Sequence, residues 1–137
     1  MKLTSDEIFY LNALDSVSGV NARDCVVEEN VVAFLVKKAE LGKAIGRNAS
    51  TVKKLGKKLR KNVEIFEYCD TVEQFIKKAL YNIKIEEIRL LERNGKKYAV
   101  LSLDPENKRK LLNSLPRIKR IKAFSKRDYK VEDVRTR

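Results

Sequence analysis

The chain has 137 residues, of which 43% are apolar and 36% are charged, and its net charge is +12. This composition is sufficient for one domain or two small ones, and the charge favours a polyanionic partner, nucleic acid first and an anionic membrane second. The sequence contains no run of about 18 apolar residues that would span a membrane and no apolar signal segment at its N-terminus. We therefore expect a cytoplasmic protein.

The positive charge is concentrated in two blocks. Residues 37–61 hold ten Lys or Arg and one acidic residue, and residues 107–137 hold twelve and three, so each block carries +9. A single lysine run is as often a solvated helix face as a binding surface. Two separate blocks with the same excess favour an extended surface for the phosphates of a nucleic acid.

Residue types that support catalysis or metal binding are scarce. The chain has no histidine, and its two cysteines, Cys25 and Cys69, form neither a CxxC motif nor a disulfide framework. Both flank strand-like runs, which favours buried thiols. The adjacent acids Glu86 and Glu87 would face opposite sides of a strand, which argues against a nuclease centre. We predict a protein that is not an enzyme and has no catalytic residues, metal or other cofactor.

The first half of the chain predicts the element order α-β-β-α-α-β. Thr4 and Glu7 have the spacing of a capping box, and Gly19 supplies a helix stop. Apolar periodicity and β-branched runs indicate the remaining elements. They are a helix over residues 4–18, strands over 25–27 and 31–36, helices over 37–45 and from residue 50, and a strand over 63–68.

The same order recurs in the second half. Thr71 and the Asp104-Pro105 pair are helix-start signals, and Asn94-Gly95 indicates a tight hairpin turn. The predicted elements are a helix from residue 71, strands over 83–91 and 98–103, helices over 104–115 and 118–124, and a strand over 129–134.

Residues 44–59 combine a tight loop with a basic helix. Such a loop can bring backbone N–H groups against a phosphate, and the helix N-terminus adds its dipole. The candidate RNA contacts are Ile45, Gly46, Arg47, Asn48, Ala49 and the flanking Lys43, Lys53 and Lys54. In the second basic block the candidates for phosphate contacts are Arg117, Lys119 and Arg120, although a solvated amphipathic helix explains that stretch equally well.

Residues 45–55 resemble the signature of the KH domain, which is an apolar residue, a GxxG loop and apolar residues at steps of three. The element order is that of the type II KH fold, and two such units in a short basic chain resemble the archaeal NusA-related transcription factors. The resemblance implies an α+β fold of tandem type II KH domains, each a three-stranded mixed sheet packed against helices. The domains would be residues 1–70, with the loop 46–49, and residues 71–137, with a degenerate loop at 113–116.

The resemblance implies a single-stranded RNA-binding protein that acts in transcription termination or antitermination. A role in ribosome assembly or translation is the alternative, because type II KH units occur there as well. The implied partners are single-stranded RNA and RNA polymerase or a transcription complex, without membrane binding, and we expect a monomer. Ile45, Val52 and residues 31–36, placed at a sheet edge, are candidates for the floor of the RNA groove, although Ile45 and Val52 also suit an ordinary core.

Overall fold

The computed structural model describes residues 3–137. Contacts divide the chain into two compact units that meet in sequence at Cys69 and Asp70. Both units have the element order α-β-β-α-α-β, and each contains one three-stranded mixed sheet, so the predicted α+β class is confirmed. None of the helices within residues 3–137 is both long enough and apolar enough to cross a membrane.

The helices of the first unit begin and end at local signals. Glu7 N–H donates to the Thr4 hydroxyl at 3.2 Å and Thr4 N–H donates to the Glu7 carboxylate at 2.9 Å, which is the predicted capping box. The second helix starts later than predicted, after a 3₁₀ turn, Lys38–Glu40. The elements are α1 Ser5–Ser18, β1 Asp24–Val27, β2 Val31–Lys37, α2 Leu41–Ile45, α3 Ser50–Leu59 and β3 Asn62–Tyr68.

The first sheet has β2 at its centre, antiparallel to β1 and parallel to β3. The placement of residues 31–36 at a sheet edge is therefore wrong, and residues 32–36 are all 0% exposed. Leu14, Ala44 and Leu55, one from each helix, share a core with Phe34 of β2. The edge strand that contacts α2 and α3, the two helices that flank the loop 46–49, is β3.

The second unit repeats this arrangement, with β5 at the centre, antiparallel to β4 and parallel to β6. The first of its strands starts later than predicted, because Ile83 is buried in a turn in which its N–H donates to Leu80 O at 3.0 Å. The elements are α4 Val72–Ala79, β4 Glu87–Arg93, β5 Lys96–Ser102, α5 Pro105–Leu112, α6 Leu115–Tyr129 and β6 Val131–Thr136.

The second core is aromatic. Phe75 of α4 meets Phe124 of α6 edge-to-face at 6.3 Å between ring centroids and stacks on Tyr129 at 5.3 Å. Asp104 caps α5 by accepting from Asn107 N–H at 2.7 Å, and this hydrogen bond lowers the pKa of the Asp104 carboxyl. The aromatic contacts join α4 to α6, and the Asp104 cap fixes the start of α5, the helix that leads into the second loop.

Candidate nucleic-acid interface

The loop of residues 46–49 has a left-handed backbone at several positions. Gly46 has φ 79°, Asn48 has φ 54° and Ala49 has φ 59°. Ala49 N–H donates to Gly46 O at 3.1 Å, which closes the turn. Residues with a Cβ adopt this region at a cost of about 1–2 kcal/mol, so Ala49 is held in a conformation that glycine would adopt freely.

Gly46 has no room for a side chain. A Cβ at this position would overlap the Thr51 hydroxyl and would lie 2.6 Å from Thr51 N and 2.8 Å from Ser50 Oγ. Atoms of the first turn of α3 therefore fill the space that a side chain needs. The glycine allows the loop to fold back onto the N-terminus of this helix.

The N-terminus of α3 has no side-chain cap. Its N-cap residue is Ala49, whose methyl group accepts no hydrogen bond, so the backbone N–H groups of the first turn lack a side-chain acceptor. Together with the helix dipole, such donors favour an anion. Arg47 and Asn48 are exposed beside them, and the Arg47 guanidinium can form charge-assisted bonds with the same anion.

A cleft of about 850 Å³ lies beside α3. Val52 of α3 and Val63 of β3 provide its apolar lining, and Lys53 and Lys57 provide charge on the helix side. Gly56 lies between them, where a Cβ would approach Lys61 O to 3.1 Å. The cleft is lined by Asn30, Val52, Lys53, Gly56, Lys57, Arg60, Lys61, Asn62 and Val63.

The lysines of α3 divide between two faces. Lys53 and Lys57 line the cleft, whereas Lys54 and Lys58 lie on the same helix outside it. All four are exposed, and none of them forms an ion pair within residues 3–137. Lys61 is different, because its ammonium group donates to the carbonyls of Glu28 and Glu29 at 2.7 Å and 2.6 Å and so fastens the β1–β2 turn.

The profile of the KH domain family matches residues 12–93, a span that includes the loop 46–49 and the cleft. The chain belongs to the KH domain family. The matched span contains the loop 46–49, whose sequence Gly-Arg-Asn-Ala differs from GxxG at its last position, Ala49.

Archaeal proteins with a common name are similar to the chain. It is 32% identical to "Probable transcription termination protein NusA" of Methanocaldococcus jannaschii over 110 residues. The matched segment covers 80% of this chain and 60% of that protein. A protein of the same name from Halococcus morrhuae is 31% identical over 90 residues, covering 66% of this chain and 65% of that protein. The chain thus spans less than two thirds of the length of these curated relatives.

A solved structure resembles the chain over nearly its whole length. The crystal structure of APE1850 has a TM-score of 0.86 and 34% sequence identity, and the match covers 98% of this chain and 100% of that chain. This solved structure thus shares the fold of the chain beyond the residues that the family profile matches.

The sequence predicted the tight turn between α2 and α3, but it did not predict the whole cleft. It placed Lys43 and Ile45 before the loop, and in the structure Lys43 is exposed and Ile45 is half-buried on α2. From the sequence, Gly56 and Val63 were assigned no role in the cleft. A glycine on the helix that leads into the third strand was the available signal, because it permits close approach of the two elements.

The second basic block supplies fewer exposed contacts than its charge suggests. Arg120 is only 6% exposed, so its placement on the phosphate-facing surface is wrong, because α6 turns this side chain inward. Arg117 is half-buried, and its Nε donates to Ala79 O at 2.9 Å. Of the three predicted α6 residues, Lys119 alone is exposed.

The second loop, residues 113–116, differs from the first in backbone geometry. Asn113 has φ −80° and Ser114 has φ −119°, and no residue of this loop has a positive φ. Leu112, just before the loop, and Leu115, within it, are 64% and 56% exposed. Within residues 3–137, no group of three or more His, Cys, Asp or Glu side chains is placed to hold a metal ion.

Proposed function

We propose that the chain is a single-stranded RNA-binding protein built from two type II KH domains, residues 1–70 and 71–137. The parallel pairing of β2 with β3 and of β5 with β6, in units of the same element order, supports this assignment. One observation carries the proposal: α3 begins directly after the loop 46–49 without a side-chain cap, and the same helix lines a basic cleft.

In the proposed complex the loop holds the RNA backbone and the cleft receives the bases. A KH domain grips about four nucleotides of single strand with its GxxG loop on the backbone. The backbone donors of α3 and the Arg47 guanidinium would bind phosphate, and Lys53 and Lys57 would neutralise further phosphates. Val52 and Val63 provide an apolar surface, which favours unstacked bases over a duplex, whose bases are stacked inside the helix.

We further propose a non-enzymatic role in transcription, in termination or antitermination, for a monomer in the cytoplasm. The names of the archaeal relatives support this role, and RNA polymerase or a transcription complex is the corresponding partner. In-cell crosslinking followed by sequencing of the bound RNA tests it. Enrichment of nascent transcripts is expected, whereas enrichment of ribosomal RNA would favour a role in ribosome assembly instead.

The RNA-binding proposal is tested by placing negative charge on the loop. The double variant Arg47→Asp, Asn48→Asp should bind a random single-stranded RNA pool at least about tenfold more weakly, a difference of about 1.4 kcal/mol. Aspartate tolerates the left-handed backbone of Asn48, so the fold is expected to persist. Fluorescence anisotropy with labelled RNA measures the affinity, and circular dichroism reports the fold.

The matched control changes the same residue types at the second loop. Arg109 and Asn113 are exposed there, and Arg109→Asp, Asn113→Asp introduces the same change in charge. This control should weaken binding much less than the variant of the first loop. Unchanged affinity of the Arg47, Asn48 variant, with an intact circular dichroism spectrum, would exclude the loop as the RNA grip.

A further inference from the structure

We propose that the open face of the second sheet binds a base of single-stranded RNA by stacking, as a second contact in addition to the loop 46–49. This inference rests on the proposed RNA-binding function. The face contains a cleft of about 350 Å³, which is small among ligand sites of about 300–1,000 Å³. The lining residues are Leu91, Glu92, Arg93, Tyr98, Val100 and Arg135.

The cleft lies on the side of the sheet turned away from the helices. Ala99 and Leu101 of β5 are 0% and 1% exposed and belong to the core. Because side chains alternate along a strand, Tyr98 and Val100 point to the opposite side. Tyr98 pairs with Leu91 of β4, and Val100 pairs with Arg135 of β6, so one surface extends across all three strands.

The corresponding face of the first sheet is closed. Leu35 and Phe66, which point away from the helices there, are 0% and 2% exposed. In the second sheet Leu91 is 48% exposed, and Tyr98 and Val100 are half-buried. The second unit therefore presents an accessible sheet face that the first unit does not.

Tyr98 and Arg135 form a stacking platform. The Arg135 guanidinium carbon lies 4.5 Å from the centroid of the Tyr98 ring. Its Nε donates to the Asp133 carboxylate at 3.2 Å, which orients the guanidinium. Burial raises the pKa of Asp133, but its hydrogen bonds with Arg135, Val134 N–H and Lys122 outweigh that effect and lower the pKa, so the carboxylate stays ionised. Aromatic rings and guanidinium planes are surfaces on which RNA bases stack.

Charge and size favour RNA over a protein segment. Arg93 lines the cleft, is exposed and forms no ion pair within residues 3–137. Lys96 lies opposite Arg93 in the β4–β5 register and is exposed, with Glu132 at 3.9 Å from its ammonium group. These cations suit the phosphates that flank a bound base. A cleft of about 350 Å³ suits a single base better than an amphipathic helix, which needs a long groove.

This mode of binding fits the geometry of the second loop. Residues 113–116 lack the left-handed backbone and the glycine of the loop 46–49. A KH unit without that grip has few backbone donors to offer a phosphate. Stacking on Tyr98 does not depend on the loop, so the second unit can contact the same RNA through its sheet.

Photocrosslinking of the full chain tests the inference directly. Single-stranded RNA containing 5-iodouridine is bound to the protein and irradiated, and crosslinked peptides are identified by mass spectrometry. Crosslinks at Tyr98 are expected in the wild-type protein and in Tyr98→Phe, which keeps an aromatic ring, but not in Tyr98→Leu. The affinity of Tyr98→Leu should fall about 5- to 150-fold, the effect of losing one stacked base.

Tyr81 provides the matched control. It belongs to the same unit, is 79% exposed and also has an arginine near its ring, since Arg117 lies 5.8 Å from its centroid, but it does not line the cleft. Tyr81→Leu should leave affinity unchanged. An unaltered affinity of Tyr98→Leu, with crosslinks confined to the first unit, would overturn this inference and leave the proposed function intact. Failure of the wild-type protein to bind any single-stranded RNA would overturn both.

Discussion

Ala49 adopts a backbone conformation that is usually found at glycine, the residue that the GxxG motif has at its last position. Its φ of 59° and ψ of 27° belong to the left-handed region, in which a Cβ crowds the neighbouring backbone. The adjacent Asn48, at φ 54°, is better suited to this region because its short polar side chain can bond locally. The backbone strain of the loop is thus concentrated at Ala49.

Replacing Ala49 by glycine should therefore stabilise the protein. Glycine removes the left-handed cost of about 1–2 kcal/mol and adds an entropic cost of about 0.5–1 kcal/mol, so the free energy of unfolding should rise by up to about 1.5 kcal/mol. Urea unfolding measures it. The control Ala123→Gly, within α6, should lose up to about 1 kcal/mol instead. A loss of stability in Ala49→Gly would show that the alanine is unstrained.

Among the elements, α3 brings together most of the proposed interface. Its N-terminus supplies backbone donors, and one face supplies Lys53 and Lys57 to the cleft. Lys54 and Lys58, with the same spacing, point elsewhere. The same helix thus contains two lysine pairs, one that lines the cleft and one that does not. Comparing them distinguishes RNA binding in the cleft from non-specific electrostatic attraction.

Charge reversal of the two pairs should have unequal effects. Lys53→Glu, Lys57→Glu should weaken binding of single-stranded RNA at least about tenfold, because negative charge lines the cleft, whereas Lys54→Glu, Lys58→Glu should cost less than about threefold. Both variants change the net charge equally and place glutamates at the same helical spacing. Fluorescence anisotropy at low salt compares them. Equal losses of affinity would mean that RNA is attracted by the net positive charge of the protein and does not occupy the cleft.

Turns and helix starts, which depend on neighbouring residues, could be predicted from the sequence. The order of the strands in a sheet, which depends on contacts between distant residues, could not. Asn94 and Gly95 form the expected tight turn, with φ 55° and 76°, because a turn depends on its own residues. The central position of β2 depends on its pairing with β3, about thirty residues away in the register Phe34 to Ile65. Hydrophobic content alone could not distinguish a central strand from an edge strand.

The same limit applies to the site. The turn at residues 46–49 could be predicted because its signals are contiguous in the sequence, whereas the cleft requires Val52 and Val63 from two different elements. The burial of Arg120 depends on how α6 is rotated against its unit, which a count of charges does not contain. Sequence therefore indicates which residue types are available, and packing decides which of them face solvent.

At the scale of the whole molecule, the two blocks have equal net charge but differ in how many of their lysines are free of ion pairs and so available to bind phosphate. In the first block Lys53 and Lys57 are exposed without ion pairs within residues 3–137. In the second block Lys122 pairs with Asp133 at 3.2 Å and Lys126 pairs with Glu132 at 3.4 Å. Exposed ion pairs add little stability, about 0–1 kcal/mol each, but they partly neutralise the field that would attract a phosphate.

The salt dependence of RNA binding should therefore reflect the first block. About four phosphate contacts, from Arg47, Lys53, Lys57 and Arg60, give a slope of about −3 for log affinity against log salt, so affinity falls about 50-fold between about 50 and 200 mM salt. Anisotropy titrations at several salt concentrations measure the slope. Lys53→Gln, Lys57→Gln should make it shallower by about 1.4, because counterion release is lost at two phosphates.

The matched variant in the second block, Lys122→Gln, Lys126→Gln, removes the same charge from residues that already have acidic partners. It should leave the slope nearly unchanged, since a lysine neutralised by a carboxylate displaces few counterions from RNA. A slope near zero in the wild-type protein would contradict phosphate contact altogether. An equal change of slope in both variants would mean that the two blocks contact RNA phosphates to the same extent. It would contradict the expectation that the ion pairs of the second block reduce its contribution to binding.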